Sequence, residues 1–372
     1  MSLSKNKLFR ALIVCLAIGA VLVLGVYLVT SFGDRRDRDS VNEACGGFLR
    51  SGELTDFLES ERLYASESRA GVLAEFEQTC LIQSRDSPAD SVQIAIGWTD
   101  EMHNIARSMS GPRQRLYSPL GNGWSGFLAS DSKYQETESV VLLECSESRS
   151  VIVQAQGRLD RAFDSVKGGE LARIAAASAE QVALANECPP VPGQPISDVE
   201  LPASLPSANP APDENSLPLA GARGTCAALA GVSAEVETLG GISVMETEAG
   251  LSPLETCLIF TDDEGGEYWL SAWYGPYANE SVLKRESTWD MSLSASGASS
   301  NDALSLRVWG AAECVGESEV GRFALRSGTS DSGERTYTEA EREAQRELLH
   351  AFARESAERH GCDEVELPPA AS

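Results

Sequence analysis

Eight of the nine cysteines fall into two sets of four: Cys45, Cys80, Cys145 and Cys188, then Cys226, Cys257, Cys314 and Cys362. Their chemistry depends on compartment. In a reducing cytosol they would read as metal ligands or redox groups, but metal sites favour cysteines a few residues apart, and even with Cys15 included the closest pair is 30 apart. An even count in each half points instead to two disulfides per half, which an oxidising compartment preserves. Four cysteines allow three connectivities in each half, and spacing alone does not choose among them.

The other residues with chemical potential form no constellation. Gly121, Gly123 and Gly126 spell G-x-G-x-x-G, yet dinucleotide binding needs that motif between a strand and a helix, and Trp124-Ser125-Gly126-Phe127 reads as loop. Ser281-Val282-Leu283-Lys284 matches the S-x-x-K of penicillin-interacting enzymes, without their S-D-N and K-T-G motifs. A triad or zinc site needs histidines that converge with partners. His350 points away from the apolar face of its helix, His360 lies beside the helix end and His103 is alone in the first half, so all three read as surface residues. Asp262, Asp263, Glu264 and Glu267 break the EF-hand spacing and read as a solvated hairpin tip. Asn279-Glu280-Ser281 is a glycosylation sequon, meaningful only in a pathway that uses it. Glu144 and Glu313 sit in separate halves, which makes them outward-facing strand residues rather than an acid–base pair. The expectation is no catalytic, cofactor-binding or metal-binding residue and no cofactor, with the eight cysteines as disulfide residues.

Charge narrows the partners. The net charge is −26, and because Lys5, Lys7 and Arg10 precede every acid, the part from Asp34 onward carries −29. Nucleic acid is excluded, since phosphate neutralisation needs a basic surface, and peripheral binding to anionic lipid is equally disfavoured. Self-repulsion at this charge keeps a protein soluble.

What must position the cysteines is a membrane segment followed by a repeated unit. From Ala11 to Phe32 run 22 residues without a charge, long enough as a helix to cross a bilayer. A cleaved signal peptide ending at Gly33 is the alternative, but this apolar core exceeds the roughly 7–15 residues of a signal h-region. A lipoprotein signal would use Leu12-Ile13-Val14-Cys15, where Val14 occupies the place of a small residue. Flanking charge leaves orientation undecided; bridged cysteines place the large C-terminal part outside the cytoplasm. Nine of the sixteen prolines lie between Pro189 and Pro218, which predicts an extended, semi-rigid spacer on the surface.

Either side of that stretch the same order of signals recurs. Cysteine separations are 35, 65 and 43 in the first half and 31, 57 and 48 in the second. Thr79-Cys80-Leu81-Ile82 matches Thr256-Cys257-Leu258-Ile259, and Glu144-Cys145 matches Glu313-Cys314, which reads as an internal duplication. In each copy a short helix-compatible stretch near the first cysteine leads into a hairpin, residues 80–83 with 92–98 and 257–260 with 268–274. Further strands are predicted at 140–143, 150–154, 304–309 and 322–325. Apolar residues cover both faces of 268–274, so that strand should be covered on both sides.

Each copy closes with an amphipathic helix: Leu171, Ile174, Ala175, Ser178, Val182 and Ala185 form one face, and Ala344, Leu348, Ala351 and Phe352 the other copy's. Thr338 with Glu341 makes a capping box, and Gly361 suits the stop. The fold class is thus α+β: an N-terminal transmembrane helix, then two similar domains, each an antiparallel sheet with a C-terminal helix packed on it. Fastening helix ends to strands favours first-to-second and third-to-fourth cysteine pairing. The expected boundaries are a cytoplasmic N-terminus at 1–10, the transmembrane helix at 11–32, a juxtamembrane segment at 33–40, a first four-cysteine domain at 41–188, a Pro-rich linker at 189–220, a second domain at 221–366 and a tail at 367–372.

This arrangement resembles the extracytoplasmic domains of unknown function in actinobacterial membrane proteins and lipoproteins, where one cysteine begins the first helix and another opens a strand pair. The resemblance covers both copies, departs from the lipoprotein members at the missing lipobox, and implies an α+β domain at the cell envelope with no stated activity. The expected function is a single-pass extracytoplasmic binding or scaffolding protein whose partners are the bilayer, through the N-terminal helix, and an envelope protein or surface ligand. The alternative is an envelope-processing hydrolase with a site in one copy, built on Ser281, Lys284 or a carboxylate pair.

Overall fold

Strand 267–274, Glu-Tyr-Trp-Leu-Ser-Ala-Trp-Tyr, is buried at all eight positions, and what covers its two faces explains the architecture. In this computed structural model the described residues are 37, 39–67, 78–98, 115–131, 136–146, 149–189, 193–203, 215–262, 266–278, 304–314, 320–328 and 337–367. The apolar segment at 11–32 lies outside them. Among the described residues no helix is long and apolar enough to cross a membrane.

The first copy runs α1 (Ser51–Leu58), β1 (Leu63–Glu67), β2 (Gln78–Ser84), β3 (Ser91–Trp98), β4 (Ser118–Pro119), β5 (Gly126–Asp131), β6 (Glu136–Ser146), β7 (Arg149–Arg158) and α2 (Ser165–Ala185). The second runs α3 (Ser233–Thr238), β8 (Gly241–Met245), β9 (Leu254–Thr261), β10 (Glu267–Tyr274), β11 (Leu304–Glu313), β12 (Val320–Gly328) and α4 (Glu339–Arg359). Both sheets are antiparallel, in the orders β1-β2-β3-β7-β6-β5-β4 and β8-β9-β10-β12-β11. The second order repeats the first five strands of the first.

Register repeats as well. Cys80 faces Ile94, which faces Ala155; Cys257 faces Leu270, which faces Leu325. Both closing helices have 21 residues and end three before the fourth cysteine. Disulfides join Cys45 to Cys80, Cys145 to Cys188, Cys226 to Cys257 and Cys314 to Cys362, so no bridge connects the halves. Thr338 and Glu341 form both bonds of the capping box on α4. In both helices the expected faces are buried, except that Ala185 is exposed in the last turn.

The copies do not stand apart on a spacer. Their sheets pack face to face through a buried cluster, with Tyr117, Phe127, Val140, Leu142 and Ile152 on one side and Leu254, Trp273, Tyr277 and Trp309 on the other, and a second cluster joins Leu116 to Met245, Leu258, Phe260 and Trp269. Helix α2 covers the outer face of the first sheet and α4 that of the second, giving four layers, helix-sheet-sheet-helix. Strand β5 begins at Gly126, where the sequence reads as loop: a Cβ there would stand 2.2 Å from the Val140 carbonyl oxygen, so the glycine permits the strand pairing. Strands β4 and β5 are additions of the first copy.

The linker differs from the expected spacer too. Residues 193–203 are docked on α2: the Arg173 guanidinium donates to the carbonyls of Ile196 and Ser197, the Trp124 indole donates to that of Gln194, and Ile196 and Val199 are buried. Two successive glycines in α2 make this approach possible, although glycine costs a helix interior about 1 kcal/mol relative to alanine. A Cβ on Gly169 would lie 2.7 Å from Asp198 Cα. Gly169→Ala therefore loses more by displacing this backbone than helix propensity returns, a net destabilisation of about 1–2 kcal/mol. A lowered Tm with faster proteolysis within 193–203 is the expected result; a raised Tm would contradict it.

Candidate functional site

Acid–base residue types converge at one place in the second copy. Glu255 on β9 is two residues before Cys257 and so faces α4, opposite Ala272. Its Oε2 accepts hydrogen bonds from Ser356 Oγ at 2.8 Å and Arg359 Nη2 at 2.6 Å, while Oε1 lies 3.0 Å from His360 Nε2. Tyr274, at the end of β10, reaches Ser356 Oγ at 2.6 Å and stacks on the His360 ring with centroids 3.6 Å apart. His360 is thus not the surface residue expected. Cys362, bridged to Cys314 on the edge of β11, draws the chain after α4 back onto the sheet and lays the imidazole against Tyr274.

Serine, histidine and glutamate together suggest a triad, but their order is wrong for one. A nucleophilic serine gives its proton to imidazole, and the carboxylate stands behind the imidazole. Here the carboxylate sits between the other two, the Ser356 hydrogen is directed at Glu255, and Tyr274 donates to Ser356 in turn. Ser356 is 0% exposed and Glu255 1%. Burial, then the Glu255 charge, pushes the Tyr274 hydroxyl far above its ordinary range. Burial works to lower the Arg359 guanidinium, but Glu255 outweighs it and holds the group above its usual value. The cluster clamps the end of α4 to the sheet. The first copy has Gln78, Trp98, Val182 and Asn186 at the corresponding positions and no such cluster.

The glycine motif is a turn: Gly121, Asn122 and Gly123 take φ of +67°, +54° and +82° between β4 and β5, and no helix follows. Glu144, Glu313 and Asp262 are exposed, whereas Glu267, expected at a solvated tip, is 2% exposed within β10. It lies near Arg326, whose guanidinium burial lowers to about 10, with Tyr117 and Glu267 opposing that shift. Ser281, Lys284, His103, Asn279, Asp263 and Glu264 lie outside the described residues. His350 is half-buried on α4. Among the described residues no group of three or more metal-ligating side chains forms.

A concave feature among the described residues lies elsewhere, at the seam between copies. Strand β4 is the outer edge of the first sheet and β8 the outer edge of the second. Thr247 Oγ1, just after β8, donates to the Tyr117 carbonyl at 2.9 Å and ties the edges together. Linker residues 200–203 form one wall, and Leu217, paired with Val244, closes another. The result is a cleft of about 730 Å³. Leu217 and Leu201 supply apolar surface, and Glu200, Glu246, Glu248 and Arg223 the charge. Gly224 is required here, because a Cβ would stand 1.9 Å from the Thr247 carbonyl oxygen. Ser118, opposite Leu128 on the linker side of its sheet, lines the cleft while 2% exposed, and its Oγ has no hydrogen-bond partner. No motif announces this site, since its residues come from four separated segments, at 118, 200–203, 215–224 and 245–249. No protein family, curated protein or solved structure matches the chain.

Proposed function

We propose that this chain is a single-pass, membrane-anchored extracytoplasmic protein of the cell envelope that binds or scaffolds a partner through the seam cleft. The observation that carries the reading is the cleft's construction: walls from the linker and the second copy, with Ser118 of the first copy at their junction, at the size of a ligand site. Support for the compartment comes from the four disulfides, which belong to an oxidising environment. The apolar run at 11–32 supports the anchor. The hydrolase alternative rests on Ser281 and Lys284, which lie outside the described residues, and the Glu255 cluster lends it no support, since its serine is buried and its hydrogen bonds are spent internally.

Ala249, exposed at the rim, offers a test that spares the core. The full chain in detergent captures a partner from envelope fractions, and Ala249→Trp, which fills the cleft mouth, is expected to reduce that capture at least about tenfold while leaving Tm unchanged. Equal capture by both proteins would remove the cleft from the reading.

A further inference from the structure

We infer that the ectodomain is set rigidly on its anchor, with the β2–β3 turn at residues 85–89 facing the bilayer and the seam cleft held away from it, open to a partner that does not share the membrane; this deepens the binding role above and rests on the anchored reading. The argument begins where the chain leaves the apolar run. That run ends at Phe32, and four residues, Gly33 to Arg36, separate it from Asp37. Five residue steps reach at most about 18 Å, so Asp37 stands close to the bilayer.

From Asp37 onward the chain is fastened to the first sheet. Residues 39–43 are helical, with Ser40 and Val41 turned inward and Asp39, Asn42 and Glu43 exposed. The Asp37 carboxylate accepts two hydrogen bonds from the Arg85 guanidinium, both at 2.9 Å, a fork that fixes direction as well as distance. Ser40 Oγ accepts from the Ala65 amide on β1 at 3.0 Å, Val41 is 2% exposed in the core shared with α2, and Cys45 is bridged to Cys80 on β2. The juxtamembrane segment expected at 33–40 therefore belongs to the first domain from Asp37 on.

Direction follows from register. Asp37 meets Arg85, Ser40 meets Ala65, which pairs with Ile82, and Cys45 meets Cys80, so the chain climbs along β2 from its turn end toward its start. The strands thus stand with the β2–β3 turn nearest the apolar run. Cys80 is also in register with the cleft, since pairing runs from Cys80 through Ile94, Ala155, Ser139 and Leu128 to Ser118 on β4. Ser118 lies five strands across from Cys80, and Arg85 five residues along from it, about 24 Å in one direction and about 17 Å in the other. The cleft is then about 29 Å from the turn, and it stays farther out whether the body leans onto the β1 edge or onto its strand ends.

The test uses the full chain with Cys15→Ser, to which Ala89→Cys in the turn or Ala249→Cys at the cleft rim is added, both positions being exposed. Each protein is inserted in phosphatidylcholine vesicles and labelled from outside, without reductant, by an impermeant thiol-reactive fluorophore. Energy transfer to an acceptor carried on the lipid headgroups reads the height of each label. Transfer is expected to be at least about threefold higher from position 89 than from position 249. A Gly-Ser insertion of about ten residues between Arg36 and Asp37, which leaves every docked residue in place, should at least halve that ratio. Equal transfer from the two positions, higher transfer from 249, or a ratio unmoved by the insertion would overturn the inference. Alkaline carbonate washing separates the two readings: protein retained in the vesicles with equal transfer keeps the anchor and loses the orientation, whereas protein released by the wash loses both.

Discussion

Glu255→Leu is expected to destabilise the protein by about 3–5 kcal/mol, because it removes the acceptor on which Ser356, Arg359 and His360 converge. Deleting one partner of a buried ionic network leaves the other charge desolvated and unpaired, which costs far more than the intact pair contributes. Arg359, at 20% side-chain exposure, can turn toward water, whereas His360 at 10% and the Ser356–Tyr274 pair cannot. The estimate therefore belongs near the lower end of that range. Urea unfolding measures it, and Gln78→Leu in the first copy is the comparison. Gln78 occupies the same register position, opposite Ile96, and its Oε1 already lacks a partner, so that change should cost less than about 1 kcal/mol. Adding Arg359→Met to Glu255→Leu should recover part of the loss, since both charges then leave together. A single-variant cost under about 1 kcal/mol would mean that the cluster is a solvated surface feature.

That cluster marks where sequence reading reached its limit. Local signals were legible: Thr-Cys-Leu-Ile twice, the period of α2 and α4, and Thr338 with Glu341 all depend on neighbours within a few residues. Disulfide geometry follows from them, because repeated register sets Cys80 and Cys257 at equivalent places in their sheets. Glu255 left one faint trace, a charge inside the otherwise uncharged run from Leu254 to Phe260. Nothing local shows that His360 and Arg359, about a hundred residues later, return to meet it.

The face-to-face packing was half legible. Apolar residues on both faces of β10 required two covers, one of which the closing helix supplies. The identity of the second depends on Tyr117 and Phe127, which sit in a glycine-rich stretch that reads as loop until β6 is there to pair with it. The linker misled for a related reason: proline content predicts extension, and the segment is extended, but docking depends on the glycines of α2 rather than on the linker itself.

Removing the Cys314–Cys362 bridge as Cys314→Ala with Cys362→Ala carries the other large effect, and its size tests how the clamp is held. Chain entropy alone assigns about 4 kcal/mol to a closed loop of 48 residues, close to the figure for the 35-residue loop of Cys45–Cys80. The two bridges should nevertheless behave differently in combination with Glu255→Leu. Cys362 holds residues 360–362 against β11, with the Asp363 amide donating to the Glu313 carbonyl, and that return path sets the imidazole within reach of Glu255. Without the bridge, part of the clamp is already lost. Glu255→Leu should then cost about 1–2 kcal/mol less than it does in the intact protein, a coupling typical of groups sharing one network. Removing Cys45–Cys80, at the far side of the other sheet, should leave the cost of Glu255→Leu unchanged within about 0.5 kcal/mol. Equal coupling to both bridges would show instead that the copies unfold as one undivided unit, in which the bridge after α4 acts on the unfolded chain and not on the position of His360.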